Sequence, residues 1–416
     1  MVESDVIKLQ REVAFRRFLQ NSIYDFSAAI HTSLDPDPIV RIFFSTLMAP
    51  MGISKAFLCH RTRQVFRRRG LVISANEKKY LARQLSSVLK NVLRLDVDEI
   101  GPENDELRRM LQSKGITTLL NLADRPGRVV ALGLGAKRNG QPITDEDIEY
   151  VEFLSRFLLM ALDNSHYLSQ MVEKKKLELE LSIASDIQRA LMPTEVPGLK
   201  RYEIAIHYEP ILEVGGDYYD LLPRRRNMQP IVLADVEGKG LAAALLAASS
   251  QAIFRSLNEL YFFEPGRFVA KANSLICQFT HGRRFITLFW MLLDDDTPRI
   301  TYVNAGHVAP YLIRQNGVRR LEQGGMLTGY IPEVEYQEES VELASGDLIA
   351  IFSDGVNEVE NPAGEQFGDD ALLDSLRRDR RLPCAEILDR LHRRIKTHAE
   401  GRRFRDDFSI ILIKVR

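Results

Sequence analysis

Apolar residues recur at three-to-four spacing at Val6, Leu9, Val13, Phe15, Phe18, Leu19, Ile23 and Phe26, which predicts a helix with one buried face over residues 6–30. After Pro36 and Pro38 the same period returns over 39–48, followed by short apolar runs of strand length at 53–58 and 129–134. The first domain therefore reads as an α+β alternation. It closes with a strand, an Asn139-Gly140 turn, Thr144 as N-cap, and Asp145, Glu146 and Asp147 in the first turn of a long apolar helix.

That helix carries Leu154, Leu158, Ala161, Leu168, Val172 and Leu179 on a heptad, with Ser165 and Lys175 at two seam positions. The pattern predicts pairing with a second copy, hence a homodimer through the N-terminal domain and the helix. The same register would place Ser182 and Asp186 in the seam, whereas the apolar residues stand at Ala184, Ile187 and Leu191. The break reads either as a stutter or as the point where the helix leaves its partner and docks on the next domain. Pro193 ends the helix by removing a donor and turning its neighbour out of helical geometry. The expected division is 1–165, a linker helix over 166–195, and a second domain over 196–416.

In the second domain four apolar runs or turns deliver a carboxylate to a strand end: Gly215-Gly216-Asp217, Ile231 onward to Asp235, Leu348 onward to Asp354, and Asp406 before the apolar run 409–415. Any single one reads as a surface turn, because Asp-Gly is a common turn pair. Together they form a set of hard oxygen ligands without histidine or cysteine, which suits two Mn²⁺ or Mg²⁺ ions. A pair of such ions activates water and clamps a phosphoryl group, so no nucleophilic side chain is required.

Composition narrows the alternatives. With 416 residues, 45% hydrophobic and 27% charged, the chain has enough apolar surface for more than one core. Fifty-six basic against 57 acidic residues leave a net charge of -1, so no field of one sign favours nucleic acid or an anionic membrane. The triplets Arg67-Arg68-Arg69 and Arg224-Arg225-Arg226 lack interleaved aromatics and read as solvated loops. The acidic start and the absence of a long apolar run predict no signal peptide and no membrane span, hence a cytoplasmic protein. Cys59, Cys277 and Cys384 are isolated and read as reduced structural thiols. No GxxxxGK[ST] loop supports a kinase, and Tyr218-Tyr219 after the paired glycines departs from the acidic pair of a diguanylate cyclase.

Two resemblances add to this reading. Leu134-Gly135-Ala136-Lys137 before the turn and Ile148-Glu149-Tyr150-Val151 after it resemble the end of a GAF domain, which implies a sensor or dimerisation module and a possible small-molecule ligand. The ordered set GGDYYD, ADVEGKG, NAGH (ending at His307), FSDG with Asn357-Glu358, and RDDFS resembles the bacterial PPM serine/threonine phosphatases of sporulation and stress regulation. This second resemblance implies an αββα sandwich with the metals at one edge. It implies Asp217 as a terminal ligand, Asp235 as the bridging carboxylate assisted by the Val236 carbonyl, and Asp354 and Asp406 on the other ion. It also implies a phosphorylated regulatory protein, an anti-sigma-factor antagonist, as substrate. The alternative is a catalytically silent domain of this type that binds a phosphoprotein. The segment 183–193 resembles the regulatory helix that precedes such domains, and docking through Ile187 and Leu191 is expected. Thr328-Gly329 and Val308 depart from the usual pattern, and His307 reads as a histidine bonded within its turn rather than a general acid.

Overall fold

The computed structural model describes residues 36–60, 65–90, 92–123 and 129–416, so the helix expected over 6–30 lies outside the described residues. The chain divides into two units, Met1–Lys176 and Leu177–Arg416.

In the first unit α1 (Pro36–Met51), β1 (Ala56–His60), β2 (Val65–Arg69), α2 (Ala75–Val88), β3 (Arg94–Asp96), α3 (Asp105–Lys114), β4 (Ile116–Asn121) and β5 (Val130–Gly135) precede α4 (Asp145–Leu191), which runs on into the second unit. The strands form one antiparallel sheet in the order β2-β1-β5-β4-β3. Side-chain alternation along the strands splits the core in two. Leu58, Leu120, Leu132 and Leu134 face Phe43, Leu47, Leu154 and Leu158, while Phe57, Cys59, Leu119 and Ala131 face Leu81, Leu85, Leu107 and Leu111. A capping box between Ser74 and Glu77 starts α2. Leu154, Leu158 and Ala161 are fully buried in this unit's own core. The first heptad positions therefore serve intramolecular packing, and the first exposed heptad position is Leu168. Periodicity is blind to that distinction, because a heptad and a helix-on-sheet face differ little over two turns.

The second unit continues with β6 (Tyr202–Glu209), β7 (Tyr218–Leu221), β8 (Met228–Val236), α5 (Leu241–Tyr261), α6 (Pro265–Thr280), β9 (Ile286–Asp294), β10 (Arg299–Ala305), β11 (Tyr311–Arg314), β12 (Gly317–Arg320), β13 (Gly324–Gly325), β14 (Glu339–Glu342), β15 (Leu348–Phe352), α7 (Asp354–Asn357), α8 (Gly368–Asp379), α9 (Cys384–Ala399) and β16 (Phe408–Val415). One sheet runs β13-β10-β9-β8-β7 with β14 beside β10, and the other runs β12-β11-β15-β16-β6. Between them lie Ile231, Leu233, Phe289, Met291, Ile349, Ile351, Ile411 and Ile413. The outer face of the first sheet, with Val232, Leu288 and Trp290, packs on Phe254 and Phe268 of α5 and α6. The outer face of the second, with Ala350, Phe352 and Leu412, packs on Leu372, Leu376 and Leu391 of α8 and α9. The result is the expected αββα order of layers. Strands buried on both faces explain why β8, β9, β15 and β16 read as nearly unbroken apolar runs. The β9–β10 hairpin forms with Arg299 opposite Asp294.

All three cysteines are buried and free of disulfides. Among the described residues no helix is long and apolar enough to cross a membrane. The basic triplets are engaged locally: Arg67 pairs with Asp37, Arg225 pairs with Glu259, and Arg226 lies over the Phe263 ring at 5.6 Å.

Candidate active site

Strand register brings the predicted carboxylates to one edge of the sandwich. Tyr218, the first residue of β7, pairs with Ala234 near the end of β8, so Asp217 and Asp235 are neighbours. Phe352 at the end of β15 pairs with Ile410 near the start of β16, which sets Asp354 close to the Asp406-Asp407 segment.

The paired glycines are required by close approach. A β-carbon on Gly215 would lie 2.3 Å from the Tyr208 hydroxyl and 2.8 Å from Asp407 Oδ2. One on Gly216 would lie 3.1 Å from the Val236 carbonyl oxygen and 3.3 Å from the Gly238 carbonyl oxygen. The turn thus lays Asp217 against the strand end that carries Asp235 and the Val236 carbonyl.

Asp217 is 2% exposed. Burial, and then the charge of Asp235, push its carboxyl well above the usual carboxylate range, while a hydrogen bond from Ser409 Oγ to its Oδ2 opposes them. Asp235 is raised to about 7 by burial and then by Asp354, Asp406 and Asp407. Asp354 is raised by burial and then by Asp406, and Glu358 by burial and then by Asp354 and Asp406. These acids repel one another without enough local cation to balance them. Lys239 Nζ, 2.7 Å from Asp406 Oδ2, is the cation that reaches the cluster's rim. An oxygen-only donor set with surplus negative charge fits hard divalent cations. The ligand atoms are spread over the sheet edge rather than gathered at one point. Among the described residues, the three metal-ligating side chains that come within 4.8 Å of one another are a different group, His207, Glu209 and His392.

Several residues of the site carry roles that motif reading missed. Asp407 is a hub: its Oδ1 accepts from Ile211 N at 2.9 Å, and its Oδ2 accepts from Gly216 N at 2.6 Å and Asp217 N at 3.2 Å. It fixes the glycine turn. Ser353 and Ser409 bind each other's backbone across β15 and β16, with Ser353 N donating to Ser409 O at 3.0 Å and Ser409 N to Ser353 Oγ at 3.2 Å. The serine next to Asp354 in FSDG and the serine two residues after Asp407 in RDDFS are the sequence trace of this arrangement. Asp220, the second acid of GGDYYD, is fully buried and held by Arg255 at 2.8 and 3.1 Å, so it serves packing.

His307 is locked in its turn. Its backbone N–H donates to Asn304 Oδ1 at 2.8 Å, Asn304 Nδ2 donates to its carbonyl at 3.1 Å, and Nδ1 shares a 2.9 Å bond with Thr287 Oγ1. Burial pushes the ring down to about 4, so it is neutral near pH 7. Thr328 bridges to Ile286 through both backbone groups, and Gly329 N donates to Asn273 Oδ1 at 2.8 Å. That departure from the usual motif pins a loop to β9.

The last turns of α4 dock beside the glycine turn, but through a different face from the one expected. Ile187 and Leu191 are exposed, whereas Ser185, Gln188 and Met192 are buried. The contact is polar: Gln188 Nε2 donates to Gly215 O at 2.8 Å and Gln188 Oε1 accepts from Gly215 N at 3.1 Å. An amide that mimics a backbone pair is invisible to a search for apolar positions.

Comparison with known proteins agrees with this geometry. Residues 229–416 match the family of Stage II sporulation protein E (SpoIIE). The chain is 27% identical to Protein IcfG of Synechocystis over 288 residues, covering 62% of this chain and 45% of that protein. It is 28% identical to the phosphoserine phosphatase RsbU of Bacillus subtilis over 245 residues, covering 58% of this chain and 72% of the relative. The chain thus spans about half the length of the first relative. The SiaA-PP2C domain of Pseudomonas aeruginosa superposes with a TM-score of 0.53 at 22% identity, over 59% of this chain and 99% of that one. Residues 229–416 accordingly resemble the SpoIIE family, and the likeness to the SiaA-PP2C domain shows a PP2C-type fold for the C-terminal region.

Proposed function

We propose that this chain is a metal-dependent protein serine/threonine phosphatase that removes phosphate from phosphoserine or phosphothreonine on a regulatory protein of the anti-sigma-factor-antagonist kind. The observation that carries the reading is the convergence of Asp217, Asp235, Asp354 and Asp406 on one sheet edge, where burial and then neighbouring carboxylates raise the first three. The kinship with a relative named as a phosphoserine phosphatase supports the substrate class.

In this reading Asp217 and Asp235, with the Val236 carbonyl, would hold one ion, Asp235 would be shared with the second, and Asp354 and Asp406 would hold that other ion. Bound Mn²⁺ or Mg²⁺ supplies a water of lowered pKa and positive charge for the phosphoryl oxygens. The protein's share is to hold the ligands. Asp407 fixes the glycine turn, Ser409 orients Asp217, and the Val236 carbonyl is aimed by Gly216. Lys239 neutralises Asp406 until cation is present. With water activated by bound ions no nucleophilic side chain is required, so hydrolysis would go by direct attack of water without a phosphoenzyme.

Residues 1–165 act as a GAF-like sensor and dimerisation domain, for which the antiparallel sheet flanked by helices gives support. Residues 166–195 are the helix through which it acts. Gln188 on Gly215 makes helix position a determinant of where Asp217 sits.

Titrating Mn²⁺ against hydrolysis of an aryl phosphate and of a phosphoserine antagonist protein tests the reading. The expected result is metal-dependent turnover of both, abolished in Asp217→Asn. The rival is a silent phosphoprotein-binding domain, with Lys239 serving permanently as the cation at Asp406. Tight binding of the phosphoprotein with no turnover at any Mn²⁺ concentration would establish that rival instead.

A further inference from the structure

Strand β6 shows two different chemistries on its two faces. Tyr208 points toward the glycine turn, its hydroxyl beside Gly215 and its ring 5.9 Å from that of Tyr219. His207 and Glu209, one residue to either side, point to the opposite face, where α9 packs. There His392 of α9 brings its Nε2 to 2.9 Å from Glu209 Oε2. Nε2 of His207 stands 3.6 Å from the same oxygen and has no hydrogen-bond partner although it is buried. The two imidazole rings lie 4.3 Å apart, backed by the Phe408 ring at 5.4 Å from each.

We propose that His207, Glu209 and His392 form a second metal site, selective for Zn²⁺ or a similar borderline transition ion and separate from the carboxylate cluster. Two imidazole nitrogens and one carboxylate oxygen are a donor set for Zn²⁺, Co²⁺ or Ni²⁺, whereas the oxygen-only cluster suits Mn²⁺ and Mg²⁺. All three ligand atoms already fall within 4.8 Å of one another. An ion at their centre would satisfy the nitrogen of His207 that otherwise has no partner. Side-chain exposures of 33% for His207, 43% for Glu209 and 19% for His392 leave one side open for water to complete the shell. Burial and the neighbouring His207 hold His392 below its usual value, which disfavours the imidazolium, so that an ion could take the place of the proton that Nε2 donates to Glu209, with that proton passing to Nδ1.

The competing occupant is Lys396, whose Nζ lies 3.7 Å from Glu209 Oε2. Its side chain is 54% exposed, so leaving the carboxylate costs it little. The site joins α9 to β6. Glu209 is the register partner of Phe408, the residue after Asp407. An ion here would therefore brace the strand end from which Asp407 holds the glycine turn.

The test is a Co²⁺ and Zn²⁺ titration of the full, tag-free chain carrying Asp235→Asn, which disables the carboxylate cluster and makes the readout independent of phosphatase activity. One equivalent of Co²⁺ giving a visible d–d band, displaced by Zn²⁺ with a rise in melting temperature, is expected. His207→Gln, Glu209→Gln or His392→Gln should each weaken binding by more than the roughly 10–100-fold that loss of an outer-shell partner costs, and Lys396→Met should tighten it. Partial exposure of all three positions favours folding of the variants, and native circular dichroism checks it. Absence of the band in the Asp235→Asn chain, or an unchanged band and affinity in natively folded His207→Gln and His392→Gln chains, would overturn the site. In that event the trio is an imidazole–carboxylate–lysine network at the sheet edge.

Discussion

Asp235 and His307 sit near one another at the strand ends, since Thr287, which bonds His307, is the register partner of Asp235, yet their titrations push in opposite directions. Asp235 is raised from 3.8 to about 7, so its contribution to folding is complete below pH 3.8 and fades as pH rises through about 7. Replacing it with Asn should therefore stabilise the metal-free chain at pH 8, by on the order of 1–2 kcal/mol after allowing for solvent screening, while abolishing Mn²⁺-dependent turnover. Thermal melts in chelator with and without the substitution check this; a lower melting point for Asp235→Asn would mean that the carboxylates are not under mutual repulsion. His307 is lowered from 6.5 to about 4 by burial. Its contribution is complete above pH 6.5 and is lost as pH falls toward 4, a difference on the order of 3 kcal/mol. Urea melts of His307→Gln should show a flatter stability profile between those pH values than the parent chain, with a lower plateau at neutral pH from the lost bond to Thr287.

The elements were legible in proportion to how much apolar surface they bury. Strands β8, β9, β15 and β16 and the carboxylates at their ends follow from unbroken apolar runs stopped by Asp or Gly, a pattern with few other solutions. The docking of α4 was expected but the face it uses was not legible, because Gln188 bonds to the Gly215 backbone and glutamine carries no periodic signal. Asp407 was hidden for a related reason. In Asp406-Asp407 the two acids are chemically alike, and only the fold shows that the second one accepts three backbone N–H bonds. The prediction for this helix changes accordingly. Gln188→Ala leaves both polar groups of Gly215 without their partner, at a cost of about 1–3 kcal/mol, and should raise the Mn²⁺ concentration needed for half-maximal activity several-fold. Ile187→Asn, on the exposed face, should leave that requirement unchanged. Metal titrations of the two variants in parallel separate the polar contact from the apolar stripe, and equal behaviour of both would reduce Gln188 to a passive contact.

At the scale of the whole molecule the unanswered feature is the apolar stripe on α4. Leu168, Val172 and Leu179 continue the heptad with exposures of 44%, 56% and 62%, and Met171 and Leu177 flank it at 67% and 56%. The earlier heptad positions Leu154, Leu158 and Ala161 are consumed by the first unit's own core, so the exposed seam from Leu168 to Leu179 is short, about three turns in all. A seam of that length is marginal in isolation. Pairing would become effective if a second surface on the first unit adds to it, because contacts on one rigid chain act together rather than as separate associations. The expected outcome is a homodimer at micromolar concentration that dissociates when Leu168 and Val172 are both replaced by Asp, with the fold of each unit intact because neither side chain belongs to a core. Sedimentation equilibrium on the parent and the double variant reads this directly. A parent chain that is monomeric at tens of micromolar, or a double variant that remains dimeric, would move the stripe from a self-pairing seam to a surface with another use.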